Sequence, residues 1–153
     1  MASITSRSAT FYTMLCHVLE HNDIPYERID DWCVTCLVSG REGDIRLNFT
    51  VDDSKMLVTL YAPTVRHIPQ ERLPDLSLAV CMLNHQLSDG GFCLDMVNGL
   101  LYFKLTVSFY NSEPSEDIYT YMLSIAADTV DRYRHRLRTL TGQPERYCLS
   151  EAS

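Results

Sequence analysis

The segment 83–104, LNHQLSDGGFCLDMVNGLLYFK, constrains the fold of this chain more than any other stretch. Its pattern is typical of a helix end, a glycine stop, a strand, a tight turn and a second strand. The turn is expected at Asn98-Gly99, because both residue types tolerate the positive φ angles of a two-residue type I′ loop. Four pairs follow from this loop, and the last three lie on one wholly apolar face, which predicts a hairpin packed on a core. These pairs are Val97–Leu100, Met96–Leu101, Leu94–Phe103 and Phe92–Leu105.

Length and composition indicate a single globular domain over residues 1–153. Hydrophobic residues make up 46% and charged residues 22% of the chain, which is ordinary for a protein that folds around its own core. Ordered structure is expected over about residues 10–140. Gly142 and Pro144 are expected to end the last helix, and the C-terminal tail that follows, at about residues 143–153, is expected to be mobile.

Charge and hydropathy argue against two classes of partner. A formal net charge of −7 disfavours binding to the phosphates of nucleic acids. No apolar run approaches the ~20 residues that cross a bilayer, and the N-terminal sequence MASITSRSAT lacks the apolar core of a secretion signal. A cytoplasmic protein without a membrane partner is therefore expected, and its six cysteines are expected to be free thiols.

Hydrophobic periodicity predicts the order α-β-β-β-α-β-β-α. The three helices are expected at about residues 10–21, 74–87 and 115–140. Three strands, at about residues 32–39, 44–51 and 56–61, precede the middle helix, and the two strands of the hairpin follow it. This order predicts an α+β fold in which an antiparallel sheet of about five strands packs with three helices. The core stripe expected for the last helix comprises Ile118, Met122, Ile125, Ala126, Thr129, Tyr133, Leu137 and Leu140.

The parity of apolar residues predicts the registers of the first two hairpins. A four-residue loop at residues 40–43 places Val38 opposite Ile45. A four-residue loop at residues 52–55 places Val51 opposite Met56. Both registers bring apolar side chains together on one face of the sheet.

The middle helix is apolar on two sides. Its main face comprises Leu76, Val80, Leu83 and Leu87. Leu78 and Met82 lie nearly opposite that face, so a helix of this pattern needs two packing partners. One partner is expected to be the sheet of the same chain. Leu78 and Met82 are therefore predicted to contact either a second copy, in a homodimer, or an unidentified partner protein or peptide.

Cys33 and Cys36 form a C-x-x-C motif without the context that redox chemistry requires. A reactive cysteine of this kind stands at a helix N-terminus, where its pKa is lowered. Here the motif falls in a predicted strand, so the odd spacing directs the two side chains to opposite faces. No second C-x-x-C completes a four-sulfur zinc site, and the favoured interpretation is structural.

Two further groups have the spacing of a ligand site, but each has a simpler interpretation. His17 and His21 stand four residues apart on the first helix, without the glutamate of an H-E-x-x-H motif, and are expected to face solvent. Arginines at every second position near the end of the last helix are expected to be solvated, because cations there suit the helix dipole. This cluster comprises Arg132, Arg134, His135, Arg136 and Arg138.

The sequence contains no phosphate-binding glycine loop and no nucleophile elbow. No catalytic residue, cofactor or metal ligand is therefore predicted, and the protein is not expected to be an enzyme.

The element order and the segment 83–104 together resemble the YbjN-type family of sensory transduction regulators. The family pattern is met by Leu83, Asn84, Gly91, Phe92, Asp95 and Gly99. The resemblance implies a fold similar to that of type III secretion chaperones, which are small, acidic, usually dimeric proteins that bind extended segments of other proteins. It implies a non-enzymatic, chaperone-like or regulatory adaptor and brings no catalytic residues. The alternative is a small-ligand sensor with a pocket between sheet and helices.

Overall fold

The structure, a computed structural model, describes residues 4–112 and 115–142. Its three helices are α1 (Ile4–His21), α2 (Leu73–Gln86) and α3 (Glu116–Leu140). The strands are β1 (Tyr26–Arg28), β2 (Cys33–Val38), β3 (Ile45–Asp52), β4 (Leu57–Val65), β5 (Gly91–Asp95) and β6 (Leu100–Ser108). The predicted tail at residues 143–153 lies outside the described residues.

The sheet has six antiparallel strands in the order β1-β2-β3-β4-β6-β5, so the prediction of about five strands was one strand short. The additional strand is β1, which follows Pro25 and pairs Tyr26 with Cys36 of β2. It is only three residues long, and two of its side chains are exposed. A strand of this length has no detectable alternation, which explains why the sequence pattern did not reveal it.

Alternate residues of the central strands form the core, as the sequence predicted. The inward side chains of β3 are 7% exposed or less. They are Ile45, Leu47, Phe49 and Val51. Helices α1 and α3 cover this face, where Tyr119 of α3 packs edge-on against Phe11 and Phe49 at ring-centroid distances of 6.0 and 6.2 Å.

The first hairpin has the predicted register, with Val38 opposite Ile45, but the other two differ from prediction by two residues. Val51 pairs with Val58, and Phe92 pairs with Phe103. A slip of two residues keeps every side chain on its predicted face, so the assignment of the core is unaffected.

Aspartate side chains at the loop entrances explain both differences in register. The Asp95 carboxylate accepts hydrogen bonds from the backbone N–H groups of Val97 and Asn98, both at 3.0 Å. It thereby holds a four-residue loop that ends at Gly99 (φ +61°) in place of the two-residue turn. The Asp52 carboxylate accepts from the Lys55 N–H at 3.1 Å in the equivalent loop of β3 and β4. The pKa of the Asp52 carboxyl group is lowered mainly by a hydrogen bond from the Ser54 hydroxyl, and that of Asp95 mainly by one from the Asn98 side-chain amide. The backbone hydrogen bonds lower both pKa values further.

The buried face of α3 is rotated from the predicted stripe. Met122, Ala126 and Leu137 are buried as expected. The structure buries four further residues that the stripe did not include: Tyr119, Leu123, Val130 and Arg134. The remaining predicted members are half-buried or exposed on one flank of the helix: Ile118, Ile125, Thr129, Tyr133 and Leu140. Because arginine counts as a polar residue in a hydrophobic pattern, the burial of Arg134 could not be predicted. The predicted core stripe therefore followed the apolar flank of the helix.

Candidate functional site

The outer face of α2 carries two large apolar side chains that the described chain leaves uncovered. Leu78 is 65% exposed and Met82 is 63% exposed. The two residues are four positions apart and therefore neighbours on the helix surface. On the opposite side of the helix, Leu76 and Val80 are buried against the core. The two-sided pattern of α2 is thus real, and Leu78 and Met82 together are here named the α2 face.

An apolar groove runs between α2 and α3 and meets the α2 face at Met82. Its volume is about 230 Å³. The residues that line it are Ala79, Met82, Leu83, Gln86, Tyr133, Arg136, Leu137 and Leu140. These eight residues are named the α2–α3 groove. Most of them are apolar, and Gln86 and Arg136 add polar groups, a distribution that suits contact with an apolar side chain.

The half-buried flank of α3 forms one wall of the groove. Tyr133 is half-buried, and its ring meets Phe92 of β5 edge-on at 6.4 Å and 87°. Leu140, the last residue of α3, is 42% exposed. The sequence placed both residues in the core because they repeat at helical spacing. That spacing signals an apolar flank but does not show whether another element covers it.

Asn84 fixes α2 against the edge strand β5. Its Nδ2 group donates to the carbonyl oxygen of Phe92 at 2.9 Å, and its Oδ1 atom accepts from the Phe92 N–H at 2.8 Å. Because β6 pairs with the other side of β5, the Asn84 amide occupies the position that a further strand would take. It therefore positions the α2 face and also blocks pairing at this edge of the sheet.

Glycine stands where the chain passes from α2 to β5. Gly90 has φ +68°, and a Cβ atom there would lie 2.4 Å from Cζ of the buried Phe103 ring. Only glycine combines this backbone conformation with so close an approach. The short connection between α2 and its edge strand depends on this residue.

We expect Asn84→Ala to lower the free energy of unfolding by about 1–3 kcal/mol, because it leaves the N–H and carbonyl of Phe92 without their partner. His85→Ala is the matched control, since His85 is the adjacent, exposed residue of the same helix. It should change the free energy by less than about 0.5 kcal/mol. Urea denaturation followed by circular dichroism measures both values. Equal effects of the two substitutions would show that the amide does not fix α2.

The cysteine motif is not assembled into a reactive site. Cys33 and Cys36 are both free thiols, and Cys36 lies in the core at 2% exposure whereas Cys33 is half-buried. Burial raises the pKa of the Cys36 thiol to about 12, which disfavours the thiolate that redox chemistry requires. The structural interpretation of this motif agrees with the geometry.

The histidine pair is exposed, as expected. The rings of His17 and His21 stack at 6.3 Å, and Nε2 of His17 lies 3.2 Å from the Glu116 carboxylate. Within residues 4–112 and 115–142, no group of three or more histidine, cysteine, aspartate or glutamate side chains has the arrangement of a metal site.

The basic cluster of α3 is only partly solvated, which corrects its interpretation as a solvated helix end. Arg134 is 6% exposed. Its Nη2 and Nη1 groups donate to the backbone carbonyls of Gly43 and Asp44 at 2.9 and 3.1 Å. Arg132 and Arg136 face solvent on the other side of the helix.

No described helix combines the length and apolar character needed to cross a membrane.

Three solved structures share the architecture of this chain at low sequence identity. A chain of the crystal structure of the ExsC–ExsE complex matches at 12% identity with a TM-score of 0.58, over 82% of this chain and 91% of that chain. A chain of the HopA1–SchA chaperone–effector complex matches at 19% identity with a TM-score of 0.57, over 84% and 96%. The Yersinia pestis type III secretion chaperone SycH, in complex with a fragment of YscM2, matches at 12% identity, over 84% and 99%, with a TM-score of 0.48.

The first two matches show that the fold is type III secretion chaperone-like, as the resemblance implied. No curated protein matches the sequence significantly. The family model described as "YbjN: Putative bacterial sensory transduction regulator" matches residues 12–139, which is most of the chain. The chain therefore belongs to the YbjN family.

Proposed function

We propose that this protein is a non-enzymatic interaction module, a chaperone-like or regulatory adaptor that binds a segment of a partner protein in the α2–α3 groove. The observation that carries the proposal is the apolar groove, which opens beside the uncovered α2 face. Two proteins of the same fold are seen in complexes, ExsC–ExsE and HopA1–SchA, which supports binding of another polypeptide as the use of this fold.

The composition of the groove suits an apolar side chain carried by a peptide. Methionine and leucine adapt their shape to different side chains, and Met82 and Leu140 stand exposed at its border. Gln86 and Arg136 are available for hydrogen bonds to the backbone of a bound segment. The lining is mainly apolar and offers few polar groups to orient a small ligand, which favours a peptide over the alternative of a small-ligand sensor.

The α2 face is the surface through which we propose that two copies pair. Leu78 does not line the groove, so a role in binding the segment does not explain its exposure. Two copies related by a two-fold axis would bring the same residues of both α2 helices together and remove them from water. Met82 belongs to both surfaces, and this places the bound segment next to the dimer contact.

We further propose a cytoplasmic location for this module. Its described cysteines are free thiols, among them Cys16, Cys33 and Cys36, which fits a reducing compartment. The family description as a regulator is consistent with binding without catalysis.

Photo-cross-linking in cells that produce the protein tests directly whether a partner segment binds in the α2–α3 groove. A photoreactive amino acid at Leu140, in the groove, should link reproducibly to one segment of one partner protein. The same amino acid at Val97, which is 87% exposed at the tip of the β5–β6 loop, should not link to that segment. Indiscriminate linking from both positions would contradict the proposal.

A further inference from the structure

Two side chains that can bind a metal ion lie beside the α2 face. Cys81 and His85 both belong to α2, and both are exposed. Cys81 follows Leu78 by three residues, and His85 follows Met82 by three residues. Residues three apart are neighbours on a helix surface. The thiol and the imidazole therefore border the surface through which we propose that two copies pair.

Cys81 and His85 have the spacing of a chelating pair. They are four residues apart, about one helical turn, so their side chains can reach a common ion. Thiolate sulfur and imidazole nitrogen are the ligands that Zn²⁺ prefers in proteins. Neither side chain has a hydrogen bond, ion pair or ring contact with another described residue, so both are available for a ligand. The pair fits half of a four-ligand zinc site.

One chain alone does not complete such a site. Within residues 4–112 and 115–142, no three histidine, cysteine or carboxylate side chains are grouped as metal ligands. A structural zinc ion is bound by four protein ligands in a tetrahedral arrangement. A two-fold axis beside Cys81 and His85 would bring the same two ligands from a second copy. The resulting set of two sulfurs and two nitrogens is typical of zinc.

The backbone that carries the two ligands is held in place by the rest of the chain. Asn84, the residue before His85, binds the backbone of Phe92 in β5 through hydrogen bonds of 2.9 and 2.8 Å. The buried Leu76 and Val80 fix the opposite side of the same helix on the core. A metal ion would therefore have to order only two side chains of each copy, which reduces the entropic cost of binding.

We propose that two copies of this chain share one zinc ion, bound by Cys81 and His85 of each copy at the two-fold axis of the dimer. The inference rests on the proposed pairing through the α2 face and adds a ligand that stabilises it. Because the complete set of ligands exists only in the dimer, zinc shifts the equilibrium from single chains to pairs. The Cys81 thiol loses its proton when the ion binds.

Titration of the metal-free full chain with Co²⁺, a spectroscopic substitute for Zn²⁺, tests the site. The visible absorption of tetrahedral Co²⁺ and a thiolate-to-cobalt charge-transfer band should both reach their maxima at one ion per two chains. Cys81→Ser should abolish the charge-transfer band, although the other cysteines remain. His85→Ala should weaken cobalt binding by at least about 100-fold, because it removes two of the four ligands.

His21→Ala is the matched control for the histidine substitution. His21 is also exposed and stands four residues from another histidine, His17, but no cysteine accompanies this pair on α1. The charge-transfer band and the affinity for cobalt should equal those of the unmodified protein. Binding of one cobalt ion per chain would overturn the proposal, as would a charge-transfer band that survives in Cys81→Ser.

Sedimentation equilibrium with zinc and with a chelator separates this inference from the pairing on which it rests. At free zinc about ten times above its dissociation constant, the dissociation constant of the dimer should fall about tenfold. A dimer that forms in chelator, is not strengthened by zinc and binds no cobalt would overturn the shared site and leave the pairing intact. A chain that stays monomeric at tens of micromolar with and without zinc would contradict both.

Discussion

Replacing Leu78 and Met82 together with aspartate should convert the protein from a dimer to a monomer at tens of micromolar. Both side chains are more than 60% exposed in one copy, so the substitutions leave the core intact. In the proposed dimer the four apolar side chains leave water, and four carboxylates near a two-fold axis would be desolvated and would repel one another. We expect the dissociation constant to rise by at least about 100-fold.

Light scattering coupled to size-exclusion chromatography measures this change. The unmodified chain should have about twice its mass of 17.5 kDa, and the double variant should have the mass of one chain. Val97→Asp introduces the same charge at another exposed apolar residue and should remain dimeric. A monomeric unmodified protein would contradict the proposed dimer, as would a double variant that still pairs.

Replacing Tyr119 with alanine should lower the free energy of unfolding by about 3–5 kcal/mol. The side chain is 0% exposed and joins α3 to α1 and β3 through edge-on contacts with Phe11 and Phe49. Its hydroxyl group also donates to the carbonyl of Phe11 at 2.8 Å. Because whole domains are stable by only about 5–15 kcal/mol, this single substitution removes a large part of the total.

Urea denaturation of the variant should be compared with that of Tyr121→Ala on the same helix. Tyr121 is 45% exposed, and its hydroxyl donates to the Asp89 carboxylate at 2.7 Å on the surface. This control should cost less than about 1 kcal/mol. Similar losses from the two substitutions would mean that the contacts of Tyr119 do not hold α3 on the sheet.

The faces of the central strands could be predicted from the sequence, whereas two of the hairpin registers could not. Alternation along β3 assigns Ile45 and Phe49 to the core whatever their partners are. The register depends on the loop. The Asp95 carboxylate holds a four-residue loop in place of the predicted two-residue turn, and the Asp52 carboxylate holds a four-residue loop that begins one residue later than predicted. A local hydrogen bond of this kind competes with the preferred turn type and leaves little trace in the apolar pattern.

Only part of the candidate site could be predicted from the sequence. The position of Leu78 and Met82 opposite the buried face of α2 follows from helical periodicity alone. The groove also needs Tyr133 and Leu140, which come beside α2 because Asn84 fixes that helix to β5. Contacts between elements so far apart in the chain depend on how the helices are placed, which periodicity does not encode.

The burial of the Arg134 charge could not be predicted from the sequence either. Periodicity placed Arg134 among solvated arginines, and its actual partners are backbone carbonyls about ninety residues earlier in the chain. An arginine can be buried when carbonyl groups satisfy its donors, and a sequence pattern contains no record of those groups.

The affinity of the cross-linked partner segment for the purified protein tests the central claim most directly. A synthetic peptide of that segment should bind the unmodified protein and Val97→Asp equally well. Leu140→Asp should weaken binding by at least about tenfold, because it places a carboxylate in the apolar groove without altering Leu78. Equal affinity of the peptide for the unmodified protein and for Leu140→Asp would contradict the assignment of the α2–α3 groove as the polypeptide-binding site.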